Sequence, residues 1–334
     1  MPPILYLFSI LLFLLSIFSF QPTSQKNSYD TLTIAFGSCS DQDKPQMLWD
    51  EILAEKPDIW IWAGDNIYGD TEDMKVLRKK YKKQKKHPIY QDIVSQTVIE
   101  GIWDDHDYGL NDGGKDYTMK KSSQKEFLKF LNVPKDDIRW TREGIYYSFD
   151  ISQNNVQIKC ILLDTRYFRD DPNMQDTTYI PNYTGSILGG EQWKWLENEL
   201  NNSTAEVNIL VSSIQVISDK HIDEKWGNFP SERTRLLTLL AQANVKRPII
   251  ISGDRHIGEI SKMNWQGKTI TEITSSSLTH ASRLRVPEEN PYRVDSIIYH
   301  ENYGLLKIPF KKNTSVASWL KGNENTIWAH TTID

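Results

Sequence analysis

What most narrows the folds open to this chain is a pattern that recurs along it: a short β-branched or aromatic run, a turn rich in Gly and Asp, then an amphipathic stretch. Residues 31–36 lead into Gly37-Ser38-Cys39-Ser40, and residues 58–63 into Gly64-Asp65-Asn66-Ile67-Tyr68. Residues 98–103 precede Asp104-Asp105-His106-Asp107, residues 156–163 precede Asp164-Thr165-Arg166, and residues 248–251 precede Ser252-Gly253-Asp254-Arg255-His256. Helical periodicity fits between them at 45–55, 72–86, 117–131, 191–200 and 232–243. Strands alternating with helices predict an α/β layered fold, in which ligands gather beyond the carboxyl ends of the strands. Residues 269–328, poorer in helix signal and richer in short strands, are expected to complete a second sheet. With 39% hydrophobic and 25% charged residues, the chain falls outside collagen-like, disordered and multi-span membrane classes. No Pro/Gly/Ser linker or internal repeat divides it, so one domain over residues 30–334 is the simplest organisation.

Nearly every polar cluster follows a strand, and together these clusters offer a distinctive set of donor atoms. They supply a thiol at Cys39, a phenol at Tyr68, carboxylates at Asp65, Asp104, Asp105, Asp107 and Asp254, an amide at Asn111, and imidazoles at His106 and His256. Carboxylates brought close repel one another unless cations hold them, so a multinuclear metal site is expected. Thiolate, phenolate and imidazole suit a transition metal, and an all-oxygen set suits calcium, magnesium or manganese. A phenol with an ordinary pKa near 10 ionises at neutral pH only on a strong Lewis acid, which favours ferric iron over zinc. Two other roles stay open for Cys39: a disulfide with Cys160, or a nucleophile with His106 as its base.

Seven blocks in order carry a resemblance over about residues 34–260. They are Phe36-Gly37-Ser38-Cys39-Ser40, Trp62-Ala63-Gly64-Asp65-Asn66-Ile67-Tyr68-Gly69-Asp70, Trp103-Asp104-Asp105-His106-Asp107-Tyr108-Gly109-Leu110-Asn111-Asp112, Leu163-Asp164-Thr165-Arg166, Leu188-Gly189-Gly190-Glu191-Gln192-Trp193, Trp226-Gly227-Asn228-Phe229-Pro230-Ser231-Glu232-Arg233 and Ser252-Gly253-Asp254-Arg255-His256. In these the chain resembles the alkaline phosphatase D (PhoD-like) family of exported metallophosphoesterases. The resemblance implies an α/β fold, the four-layer αββα metallophosphoesterase sandwich. It implies Fe3+ on Cys39, Asp65, Tyr68 and His256, with Asp65 bridging to Ca2+, and one or two Ca2+ held by Asp254 and Asn111 with Asp105 nearby. The third block departs from the family's usual Glu and hydrophobic residue in having Asp107-Tyr108. The implied activity is hydrolysis of phosphomonoesters, phosphodiesters or both by a metal-bound hydroxide. His106, flanked by aspartates, would pair with a phosphate oxygen or protonate the leaving group, and Arg166 would offer a planar two-point contact to a phosphate oxyanion, the alternative for Arg166 being a structural ion pair with Asp164 or Asp170. The alternatives are a phospholipase-type diesterase on lipid headgroups and a catalytically silent phosphate- or carbohydrate-binding module on the same fold.

Other segments shape the expectation. Residues 1–25 carry no charged side chain and residues 4–20 are apolar apart from Ser and Tyr, which reads as a secretory signal, with an uncleaved anchor as the alternative. An exported protein, periplasmic, cell-surface or extracellular, follows. Eight of the twelve residues from Lys75 to Lys86 are Lys or Arg, either a solvated helix face or a basic rim drawing in phospholipid or another polyanion. Setting those eight aside leaves 31 Lys and Arg against 44 Asp and Glu, a net charge of −13, which argues against a dedicated nucleic-acid partner. No stable protein partner is expected. His87, His221, His280, His300 and His330 lack metal-like spacing. Trp193, Trp195, Trp226 and Phe229 read as core, and Cys160, inside a strand, as a buried small hydrophobe.

Overall fold

A computed structural model describes residues 30–283 and 288–334, and the expected signal segment lies outside them. In chain order the first half runs β1 (Thr31–Gly37), α1 (Trp49–Ala54), β2 (Ile59–Ala63), α2 (Met74–Lys85), α3 (Pro88–Gln96), β3 (Val98–Ile102), α4 (Asp105–Tyr108) and α5 (Lys120–Phe130). There follow β4 (Tyr147–Gln153), β5 (Val156–Leu162), β6 (Asn173–Gln175), β7 (Thr178–Ile180), α6 (Gly189–Asn201), β8 (Val207–Val211), α7 (Pro230–Leu240), β9 (Pro248–Ser252), β10 (Gly258–Trp265) and β11 (Lys268–Ser275). The last four strands are β12 (Arg293–Ile298), β13 (Tyr303–Pro309), β14 (Val316–Lys321) and β15 (Ile327–Ile333). The five expected helices are present with shifted ends, and α3 joins them, led by Pro88 in its first turn.

Two large sheets form, ordered β15-β14-β13-β1-β2-β3 and β12-β10-β11-β9-β8-β5-β4. The segment expected to complete one sheet serves both: β11 and β12 enter the second, while β13, β14 and β15 extend the first. The switch rests on pairing far along the chain, β13 lying antiparallel to β1 with Gly304 opposite Phe36. The central strands β1-β2-β3 and β5-β8-β9-β11 run parallel within their sheets.

Side-chain alternation sets the layers. Trp60 and Trp62, two apart on β2, pack edge-on against Trp49 of α1, and Trp62 also meets Tyr90 of α3 and Phe130 of α5. One apolar cluster runs from those helices through the first sheet to Ile158, Cys160, Leu162, Ile209, Val211, Ile249 and Ile251 of the second. The intervening residues Ile161, Leu210 and Ile250 face the other way, into a cluster under α6 and α7 that contains Trp193, Trp226 and Phe229. The order is therefore helices, sheet, sheet, helices, as expected, and the four aromatic residues read as core are buried or packed against it. Among the described residues no helix is long and apolar enough to cross a membrane.

Candidate metal centre

The loops after β1, β2, β3, β5, β8, β9 and β11 are stitched together by backbone hydrogen bonds, which converts scattered sequence clusters into one site. Ser40 N donates to Asp65 O at 2.9 Å, Gly253 N to Ser213 O at 2.9 Å, and Leu278 N to Ser38 O at 3.1 Å. Glycine permits the close approach: a Cβ at Gly253 would lie 2.6 Å from Ala63 O, and Gly64 combines φ +102° with only 2.7 Å to Asp104 Cβ. Cys39, Asp65, Asp254 and His256 all hold left-handed backbone (φ 57°, 48°, 71° and 53°). Such conformations cost about 1–3 kcal/mol each and collect at functional sites.

The third block owes its shape to a local device. Asp104 and Asp107 form a capping box around the single turn of α4, with Asp104 N donating to Asp107 Oδ1 at 2.7 Å, and Gly109 (φ 118°) ends it. Asp107 is thereby committed to structure, its other oxygen accepting from Asn66 Nδ2 (2.5 Å) and Tyr81 OH (3.3 Å). The turn aims Asp104 and Asp105 inward. Oxygens of Asp65, Asp104, Asp105 and Asp254 lie within 4.8 Å of one another, and Asp65, Asp105 and His106 form an overlapping group.

Softer donors flank Asp65. Cys39 Sγ is 3.5 Å from Asp65 Oδ2, and Tyr68 OH is 3.3 Å from His256 Nε2. His256 Nδ1 faces the carbonyl of His280 at 3.4 Å. A carbonyl only accepts, so that contact assigns the proton to Nδ1 and leaves the Nε2 lone pair beside the phenol.

The electrostatics show what the cluster lacks. Burial, then the charges of Asp105 and Asp104, pushes Asp65 well above the usual carboxylate range, and burial with Asp104 and Asp105 does the same to Asp254. Burial carries Asp104 to about 6 even with Arg166 pulling it back. Burial also opposes ionisation of Asp105, but Arg166 and His106 outweigh it and hold this carboxyl low. Burial and the neighbouring acids raise the Cys39 thiol and the Tyr68 phenol well above their ordinary values, and burial lowers His256 to about 4. Asp104 Oδ2 is buried with no partner. Clustered carboxyl oxygens whose ionisation needs a compensating positive charge, a thiol, a phenol and a neutral imidazole are a donor set for cations, oxygen-rich at one end and softer at the other.

Arg166 is fully buried, its Nε 2.5 Å from Asp104 Oδ1 and its Nη1 2.6 Å from Glu224 Oε2. Its Nη2, 3.9 Å from Asp105 Oδ1, has no hydrogen-bond partner. His106 keeps Nδ1 on Asp70 at 2.7 Å, and its ring lies tilted against the Tyr68 ring with centroids 4.3 Å apart. Burial would lower this imidazole, but Asp70 and Asp105 raise it overall. Asn111 is exposed, its amide donating to Asp112 Oδ2 at 3.1 Å. Cys39 and Cys160 are both free and buried, which removes the disulfide.

Three participants escaped the sequence reading. His280, set aside for want of spacing, lies 4.4 Å from the His256 ring and 5.2 Å from Tyr68. It follows β11 as the other clusters follow their strands, so the same signal was present. Glu224, which balances Arg166 and Arg169, stands far beyond the end of β8 in the long loop before α7, outside the strand-end clusters. Asp70, the last residue of the second sequence block, is the third, through its contact with His106 Nδ1.

The sequence pattern of the PhoD-like phosphatase family matches residues 34–306. Alkaline phosphatase D of Bacillus subtilis (strain 168) is 26% identical over 158 residues, a stretch covering 39% of this chain and 27% of that protein. The likeness thus spans about a quarter of that relative's length. A solved structure of PhoD superposes with a TM-score of 0.74 at 18% identity, covering 90% of this chain and 68% of the other. GAP50, the anchor in the inner membrane complex of Plasmodium, gives 0.63 at 14% identity over 91% of this chain and 89% of its own. A dimetal phosphatase from Danio rerio gives 0.57 at 14% identity over 90% and 98%. At these identities the structures speak for the fold, a metallophosphoesterase-type sandwich.

Proposed function

The chain belongs to the PhoD-like phosphatase family, and from that premise we propose that residues 30–334 form one metal-dependent hydrolase of phosphate monoesters, diesters or both. The observation that carries this reading is the convergence of four carboxylates within 4.8 Å beside a thiol, a phenol and a neutral imidazole. Fe3+ would take Cys39, Asp65, Tyr68 and His256. Ca2+ would take Asp254 and Asp105, with Asn111 joining once its amide leaves Asp112, and Asp65 would be shared. Bound there, the ions supply Lewis acidity, making a water acidic enough to ionise near neutral pH and offsetting charge on the phosphoryl oxygens.

The chain's own groups supply the rest. With Nδ1 on Asp70, His106 has Nε2 left to give a proton to the leaving oxygen, and its raised affinity for protons suits that task. Arg166, with no exposed surface, acts as a positioning residue that holds Asp104 and balances Glu224, in place of the phosphate contact expected from sequence. The apolar run at residues 4–20 supports export.

The test uses purified protein supplied with calcium and iron, p-nitrophenyl phosphate and bis-p-nitrophenyl phosphate. Turnover of the monoester is expected. Turnover of the diester alone would favour the second reading, a diesterase on lipid headgroups, which the basic run beside the metal loop supports. No turnover of either ester with metals measured in place would leave the silent binding module.

The iron assignment has its own signature. Phenolate and thiolate on ferric iron give a visible charge-transfer band, and Tyr68→Phe should shift or abolish it while calcium content stays constant. A colourless, zinc-loaded and fully active protein would refute the assignment.

A further inference from the structure

The eight cations of the run from Lys75 to Lys86 look alike in the sequence, but the fold sorts them by direction. Leu77, Tyr81 and Gln84 of α2 are buried beneath it. On one flank Arg78 grips Glu126 of α5 with Nε at 2.8 Å and Nη2 at 2.7 Å, and Lys85 Nζ reaches Asn132 Oδ1 at 2.6 Å. On the other, Lys80 Nζ donates to the carbonyls of Tyr68 (2.6 Å) and Gly69 (3.1 Å), and Lys83 pairs with Asp43. These four hold the helix to its neighbours and to the loops of the metal centre.

The remaining four are Lys75, Lys79, Lys82 and Lys86. Steps of four, three and four residues place them in one row, on the face opposite the buried side chains. All four are exposed, and among the described residues no hydrogen bond or ion pair engages their ammonium groups. At 1.5 Å per residue the row is about 16 Å long. We infer that this outer face of α2 docks the protein on an anionic lipid bilayer.

The chemistry of the row selects that occupant. Nucleic acids are read with arginine forks and stacked aromatic rings, and the row has neither. The only arginine of the run is already spent on Glu126. Four flexible point charges in line suit a plane carrying many phosphates, and Val76, 38% exposed beside them, adds an apolar contact. The rest of the chain, at −13, is repelled by an anionic surface in other orientations, so the row also sets which side approaches. Because Lys80 and Lys83 grip the site's loops from the same helix, docking holds the metal centre near the headgroups.

The probe is sedimentation of the full chain with vesicles of phosphatidylcholine, with and without about 30 mol% phosphatidylserine, across a salt series. Binding that requires phosphatidylserine and falls steeply with salt is expected, each lysine being worth about fivefold in partitioning. Replacing Lys75, Lys79, Lys82 and Lys86 by Gln should weaken that binding at least a hundredfold and leave p-nitrophenyl phosphate hydrolysis unchanged. Replacing Lys194, Lys220, Lys311 and Lys312, exposed lysines elsewhere, by Gln removes the same charge and should weaken it far less. Binding to phosphatidylcholine alone reports the apolar N-terminal run and should be equal in all three proteins. Equal losses in the two quadruple variants would overturn the inference, as would no response to phosphatidylserine at low salt.

Discussion

Asp65→Asn should fold, hydrolyse phosphate esters about a thousandfold more slowly than the parent chain or worse, and in its metal-free form melt higher than metal-free parent. Loss of a residue that only supports a ligand costs roughly 10–100-fold, and Asp65 touches both ends of the donor set, facing Cys39 Sγ on one oxygen and the Asp104, Asp105 and Asp254 oxygens as a group. Asparagine keeps the shape and removes one charge, so it weakens metal binding while easing repulsion among buried acids. The stability half of the prediction depends on pH. Burial raises Asp104 to about 6, and burial with neighbouring charge raises Asp107 to about 8 and holds Asp65 and Asp254 above the usual range. A carboxyl whose folded pKa exceeds its unfolded value of about 3.9 binds more protons when folded, so its contribution is whole below that value and is lost as pH climbs through the folded one. Metal-free parent should therefore lose stability between about pH 4 and pH 8, as these carboxyls give up their protons. Calcium should flatten the slope, and Asp65→Asn should reduce it. Thermal melts with and without chelator decide the matter: a midpoint that stays level across that range in chelator would sink the repulsion argument.

Arg166→Met should cost about 3–5 kcal/mol at pH 8, because it strands Asp104 as a buried charge among the site's acids and leaves Glu224 with Arg169 as its remaining cation. The loss should shrink toward pH 5, where Asp104 can protonate. Met fills similar volume, so packing contributes little. Adding Asp104→Asn to Arg166→Met should recover part of the stability, since it deletes the stranded charge. The sequence reading of Arg166 as a phosphate clamp makes a different forecast: a raised KM in a protein of unchanged stability. Urea titrations beside steady-state kinetics separate the two, and an unchanged unfolding midpoint would return Arg166 to the substrate.

Much of the site was legible because its signals are local. A hydrophobic run ending in Gly-Asp or Asp-Asp-His marks a strand end, and that rule led to Cys39, Asp65, Asp105, His106, Asp254 and His256. The capping box of Asp104 and Asp107 is likewise a four-residue device. What escaped was long-range. His280 stands past a strand end like the others, but its place in the site depends on hydrogen bonds that carry its loop to Ser38 and Cys39, over two hundred positions away along the chain. The partners of Arg166 and Lys80 were also beyond local signals: the fold buries Arg166 against Asp104 and Glu224 and turns Lys80 onto the carbonyls of Tyr68 and Gly69.

From its order of residues alone the chain committed to parallel α/β layers and to a cation-seeking set of donors at strand ends, since alternation and turn chemistry act over a few residues. Folding in three dimensions settled the rest. It chose which carboxylates meet, because only packed loops bring Asp65 and Asp254 within one coordination distance. It sent β13, β14 and β15 to the first sheet, because the pairing of Gly304 with Phe36 depends on contacts distant in sequence. It also divided eight equivalent cations into four that brace the helix and four that face outward, because direction around a helix has meaning only once one side is buried.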